Sequence, residues 1–178
     1  LPIKVELADG SITEFAVDEF PRRGTTMEAL AGLKVLHPEI EGFSITAGNS
    51  SGINDAAAAV AIVGDDLAAE EGLESLATVK AWGASAVAPR DTGFGAVAVI
   101  GKILDRAGLK ASDVALWEIN EAFASVPIAA CREYGIDEEL VNVSGSGCSL
   151  GHPISASGAR QVTTLINDLK RRGGGIGV

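Results

Sequence analysis

From residue 56 onward, short apolar runs alternate with helical stretches that each end at a glycine, and this alternation constrains the fold most. The spacing predicts helices over 65–71, 97–107 and 121–134, closed by Gly72, Gly108 and Gly135. Glycine suits those positions because a helix often ends in a left-handed residue. A last helix is the clearest: Ala159, Val162, Leu165, Ile166 and Leu169 recur at helical spacing. Lys170, Arg171 and Arg172 stand at its C-terminal end, where cations complement the dipole, and Gly173 follows. Between the helices, residues 114–119 and 141–143 read as strands, and 78–87 fits one. The run 56–63 is apolar on every face. Its alanines favour a helix, while a short strand buried on both sides is equally allowed. Strands alternating with helices imply an α/β fold, with a largely buried sheet covered by helices.

The first part of the chain is different. Residues 3–18 alternate apolar and polar around Asp9-Gly10, which signals a β-hairpin. Thr25 or Thr26 is placed to cap a short helix through Leu33, with Glu28 in its first turn. Residues 37–55, rich in Gly, Ser and Asn, read as loop.

With 47% hydrophobic residues in 178, the chain can bury one substantial core, as one domain or one with an appendage. Only 4% is aromatic, so Ala, Val, Ile and Leu must build it. A net charge of −10 argues against a general nucleic-acid binder, although a local basic site can still hold an anion. Cys131 and Cys148 sit in no CxxC or Cys/His metal spacing, so neither a metal site nor a disulfide framework is expected. No stretch is apolar for long enough to span a membrane and no signal peptide is evident, which predicts a reducing, cytoplasmic setting. The chain opens at Leu1-Pro2 and stops at Gly177-Val178, where a strand is beginning; a piece of a longer protein is the expectation.

Three segments at α/β junctions carry the chemistry, where ligand sites of such folds concentrate. In Trp117-Glu118-Ile119-Asn120-Glu121-Ala122-Phe123 a strand gives way to polar residues. Asn120 is either an N-cap, with Glu121 favouring the helix dipole, or an amide donor turned into a pocket. In Ser144-Gly145-Ser146-Gly147-Cys148-Ser149-Leu150-Gly151-His152-Pro153, His152 lies at the mouth of the last helix, whose dipole disfavours an imidazolium. A neutral imidazole there can take a thiol proton or donate to an oxyanion; a structural histidine is the plainer alternative. Thr46-Ala47-Gly48-Asn49-Ser50-Ser51-Gly52-Ile53-Asn54-Asp55 offers backbone N–H groups to a ligand, or is an ordinary loop.

Taken together and in order, these segments resemble the thiolase family over nearly the whole chain. Asn120-Glu121-Ala122-Phe123 matches its NEAF motif, Gly151-His152-Pro153 with Ser157-Gly158-Ala159-Arg160 its GHP and SGAR motifs, and Thr46 to Asp55 its TAGNxSGxND stretch. The segment Pro21-Arg22-Arg23-Gly24-Thr25-Thr26 resembles the part that precedes it.

The resemblance implies a βαβαβαββ half with its sheet between helices, preceded by the end of an inserted lobe. Residues 1–52 would belong to that lobe and 53–178 to the C-terminal domain, its final strands missing; 56–63 would then be a strand. It also implies acyl transfer on CoA thioesters in fatty acid or lipid metabolism: cleavage of 3-ketoacyl-CoA, or the reverse Claisen condensation. No tightly bound cofactor and no metal are implied, coenzyme A being substrate. His152 and Asn120 would be catalytic; Arg22, Ser51, Ala122 and Phe123 would line the CoA site. The nucleophilic cysteine and the family's CxGGG cysteine would lie outside this chain, leaving it inactive alone. The missing N-terminal half and a homo-oligomer are the implied partners. Ser155, Cys148 and the segment from Thr92 to Ala96 depart from the family pattern near the expected acyl pocket. Two rivals stand beside this reading. One is a non-catalytic CoA-binding or scaffold subunit; the other is a cysteine hydrolase pairing Cys148 with His152.

Overall fold

A computed structural model describes residues 2–178; Leu1 lies outside it. Strands β1 (Ile3–Glu6) and β2 (Ile12–Phe15) pair antiparallel, Ile3 facing Phe15 and Glu6 facing Ile12. The turn fixes this register. The Asp9 carboxylate accepts from the Ser11 amide at 2.9 Å and its hydroxyl at 2.6 Å, and Gly10 takes φ 80°. Burial does not fix it, since Ile12 is 71% exposed. Thr26 caps α1 (Met27–Ala31) through its hydroxyl, 3.1 Å from the Ala29 amide. Helix α2 (Asp65–Glu70) is followed by Gly72 at φ 62°.

The core lies farther along. Helices α3 (Gly95–Ala107) and α4 (Ser125–Tyr134) end at Gly108 and Gly135, both left-handed as the sequence predicts. Ile100 and Leu104 of α3 pack with Ala130 and Cys131 of α4 around Val114, Trp117, Ile119 and Ile136. The Tyr134 hydroxyl donates to the Val97 carbonyl at 2.7 Å and ties the two helices together. Beside them, Leu116 and Trp117 form the centre of a small parallel arrangement. Leu116 bridges Gly177 on one side, and Trp117 bridges Val141 on the other. Both are 1% exposed. A one-turn helix α5 (Gly147–Leu150) and the long α6 (Ile154–Arg171) complete an α/β architecture.

Among the described residues, 114–119 and 141–143 meet their neighbours only through the single bridges at Leu116, Trp117 and Val141, rather than as strands of a continuous buried sheet. Three further expectations differ from what forms. Residues 56–63 and 78–87 adopt no regular structure. A strand needs a neighbour to take its N–H and C=O groups, and no described residue pairs with either run. The second run is held by cations of α3 instead: Lys102 donates to the Ala84 carbonyl at 2.7 Å and Arg106 to that of Trp82 at 2.6 Å. Third, α4 begins at Ser125 rather than residue 121. The intervening residues are committed elsewhere, Phe123 bridging Ser50 and the Ala124 amide donating to the Asn49 carbonyl at 2.9 Å.

Candidate active site

The site begins where the buried, bridged segment 114–119 stops. Asn142 places its side-chain amide against Ile119, its Oδ1 accepting from the Ile119 amide and its Nδ2 donating to the Ile119 carbonyl, each at 2.8 Å. A side chain thus replaces the next rung of the sheet, and the backbone is free to turn at Asn120. Asn142 itself sits at φ 50°, a conformation asparagine tolerates better than most non-glycine residues.

Asn120 turns its amide toward His152, with Nδ2 3.2 Å from Nε2. The other ring nitrogen, Nδ1, lies 2.7 Å from the hydroxyl of Ser157, in the first turn of α6. Ser157 is 3% exposed, and its hydroxyl donates its one proton to the Pro153 carbonyl at 3.1 Å. With that proton on the Pro153 carbonyl, the hydroxyl accepts from Nδ1–H, one of the two tautomers this contact allows. A neutral His152 is left with its free lone pair on Nε2, facing the Asn120 amide donor. Asn120 is no helix cap here, because the helix starts five residues later. Its Oδ1 is buried and unpaired among the described residues.

The third segment closes against the other two. The Ser51 amide donates to the Ala122 carbonyl at 3.1 Å, and the His152 amide donates to the Gly52 carbonyl at 2.9 Å. Gly151 has φ 95°, and a Cβ there would strike the Asn54 amide, so only glycine fits. The fold thus gathers Asn120, His152, Ser51, Ala122 and Phe123, separated by up to a hundred residues of chain, into one hydrogen-bonded cluster. Arg22 is not drawn in: it is exposed, and its guanidinium makes no hydrogen bond or ion pair among the described residues. Only its near neighbour Phe20 reaches the segment, its ring lying over Gly52.

Behind the cluster runs a buried charged network. Arg160 pairs with Glu118 at 3.0 Å and donates to the Ser146 hydroxyl at 3.3 Å. Burial pushes the Glu118 carboxyl up to about 7, against the pull of Arg160 and with help from Asp168 and Glu121. The Cys148 thiol is pushed up to about 11 by burial and the Glu121 charge. That is the reverse of an activated thiolate. Its sulfur faces the Glu121 carbonyl at 3.7 Å rather than His152, so the cysteine–histidine hydrolase pairing does not form. No group of His, Cys, Asp and Glu suited to a metal ion occurs among the described residues.

Sequence reasoning noted Ser157 and Arg160 only as part of a motif, and missed the work of Asn142 and Glu118. One signal was available. Glu118 and Asn120 stand two apart, the spacing of one strand face, and Ser157 and Arg160 stand three apart, the spacing of one helix face.

Comparison with known proteins identifies the family. The sequence model of the thiolase C-terminal domain matches residues 73–178, and that of the thiolase N-terminal domain matches residues 1–66. The chain belongs to the thiolase family. It is 39% identical to an acetyl-CoA acetyltransferase of Cupriavidus necator, which covers all of this chain and 48% of that protein. It is 42% identical to a beta-ketoadipyl-CoA thiolase of Acinetobacter baylyi, over 98% of this chain and 43% of the relative. The crystal structure of the Bacillus anthracis acetyl-CoA acetyltransferase superposes with a TM-score of 0.86 at 39% identity, covering 99% of this chain and 44% of that one. The chain spans about half the length of the curated relatives it matches. In this thiolase chain no helix among the described residues is long and apolar enough to cross a membrane.

Proposed function

We propose that this chain is the C-terminal part of an acyl-CoA C-acyltransferase, residues 1–52 ending a CoA-covering lobe and 53–178 forming the C-terminal domain. It would act on 3-ketoacyl-CoA and CoA, or on two acyl-CoA molecules in the condensing direction. The observation that carries this reading is the chain of hydrogen bonds from Pro153 through Ser157 and His152 to Asn120. It leaves the basic lone pair of His152 on Nε2, beside an amide donor. A cysteine thiol brought to Nε2 from the rest of the protein would give up its proton there and attack the thioester carbonyl. Once protonated, Nε2–H becomes a donor for the oxyanion, while Nδ1–H stays on Ser157. As the family resemblance implies, Asn120 would orient a water at the same oxyanion. Ser51, Ala122 and Phe123, beside these two, would line the path of the pantetheine arm, and exposed Arg22 would meet the nucleotide end of CoA. A cytoplasmic homo-oligomer working in lipid metabolism completes the proposal.

Intact-mass spectrometry after incubation with acetyl-CoA tests it. The full-length protein should gain one acetyl group on a cysteine outside residues 1–178, and the 178-residue chain alone should gain none. An acetyl group on Cys131 or Cys148 would overturn the mechanism. A full-length protein that binds CoA and takes no acetyl group would be the scaffold alternative.

A further inference from the structure

We propose that Glu121 is a positioning residue that sets the separation of Asn120 and His152, an inference resting on the function proposed above. The sequence places Glu121 in the first turn of a helix, favouring the dipole. The structure does not, since α4 starts at Ser125. The carboxylate is used across the gap between the two motifs. Its Oε1 accepts from Asn142 Nδ2 at 2.8 Å, and its Oε2 accepts from the Cys148 amide at 3.0 Å.

The two donors belong to different sides of the site. Asn142 grips both backbone groups of Ile119, the residue just before Asn120. Cys148 lies in α5, the single turn that delivers the chain to Gly151 and His152. The backbone of Glu121 joins the same contact, because a Cβ on Gly147 would collide with its carbonyl. One side chain therefore spans from the end of the bridged segment before Asn120 to the start of the His152 loop, with each oxygen committed to one donor. Both contacts demand an acceptor. Glutamine has nearly the same shape but only one oxygen, so its NH2 must face either an NH2 or an N–H. One side of the clamp then opens. The Asn120–His152 contact, at 3.2 Å, is already at the long end of a hydrogen bond, and a few tenths of an ångström more would break it. Displacement of reacting groups by about 1 Å costs up to ~100-fold in rate.

The test is Glu121→Gln in the full-length protein, read by three measurements: melting temperature, kcat and KM for acyl transfer, and the ¹⁵N resonance of His152 Nε2. The expected result is a cooperative melt, a KM within about 2-fold of wild type, a kcat lower by roughly 10- to 100-fold and a shifted Nε2 resonance. A wild-type resonance with wild-type kcat overturns the proposal, as does a kcat that falls only with the melted fraction. If the unmutated protein shows no acyl transfer, the proposed function fails, and the resonance alone then decides on Glu121. If Glu121→Gln does not fold, Glu121→Asp replaces it: this keeps the charge, is too short to reach both donors, and should shift the same resonance.

Discussion

Two apolar runs in this chain read almost alike as sequence and end up in opposite states. Residues 114–119 lie in the core, with Trp117 and Leu116 each 1% exposed. Residues 56–63 lie open, with Ile62 80% exposed. Apolar content does not separate them, because the open run is the more uniformly apolar of the two. What separates them is hydrogen-bond partners. The first run has Val141 on one side and Gly177 on the other, and the ladder is continued past its end by the Asn142 side chain. The second has none among the described residues. A strand is a property of a pair of segments, and a single segment read alone does not contain it.

The largest expected effect strikes the paired region where it meets chemistry. In the full-length protein, His152→Ala should lower kcat by on the order of 10²- to 10⁴-fold, the usual loss of a general base or oxyanion donor. His152→Asn should recover part of that if oxyanion donation dominates, since an amide still donates. The melting temperature should barely move, because the ring is only partly buried and gives the core little apolar area. Acyl-transfer rate measured beside the melt distinguishes this from a structural histidine, which would lose activity only by unfolding.

The next effect is purely structural. Trp117→Ala should destabilise the 178-residue chain by about 3–5 kcal/mol, the cost of emptying a large buried aromatic site. Urea denaturation measures it. A loss under about 1 kcal/mol would mean that the core around Val114, Ile119 and Ile136 holds without its largest member, and the contrast between the two runs would weaken.

These two residues also show how far the sequence could be read. Glycine-closed helices, the hairpin and the threonine cap are local devices, each specified by a few neighbouring residues, and all of them form. Asn120 and His152 were legible as candidates because polar residues at the end of apolar elements are conspicuous. Ser157 was not, because a serine inside a helix says nothing about which distant ring it faces. The same holds for Asn142, whose function depends on Ile119, twenty-three residues away. Contacts across that separation are decided by packing, and the unpaired state of 56–63 is the same limit seen from the other side.

A third, smaller effect depends on pH. Glu118 is held by Arg160 and faced by Asp168 and Glu121, and its carboxyl rises from 4.5 to about 7 on folding. The folded chain then binds that proton more tightly than the unfolded chain. The stabilisation is complete below about pH 4.5 and is lost as the pH rises through about 7. Denaturant melts at both ends of that window should show wild type losing more stability than Glu118→Gln. Parallel losses would mean that Arg160 keeps the carboxylate charged throughout, making the network behind the site an ordinary ion pair.

The smallest expected effect is the most informative about the open run. In the 178-residue chain, Ile62→Ala should change stability by no more than about 0.5 kcal/mol, because a side chain that is 80% exposed has little burial to lose. In a full-length protein whose remaining segments supply a neighbouring strand, residues 56–63 would be sealed on both faces. The same substitution should then cost about 2–5 kcal/mol, as for a buried isoleucine. Measuring Ile62→Ala in both contexts asks whether the two apolar runs differ in kind or only in company. A large loss confined to the longer protein means the second run is a strand waiting for its ladder, as the family resemblance implies. Equal, small losses mean that it stays open in both, and that alanine-rich, all-apolar sequence was a poor guide to a strand here. A large loss in the short chain would show that Ile62 is packed against something already within residues 2–178, and the contrast drawn between the two runs would fall.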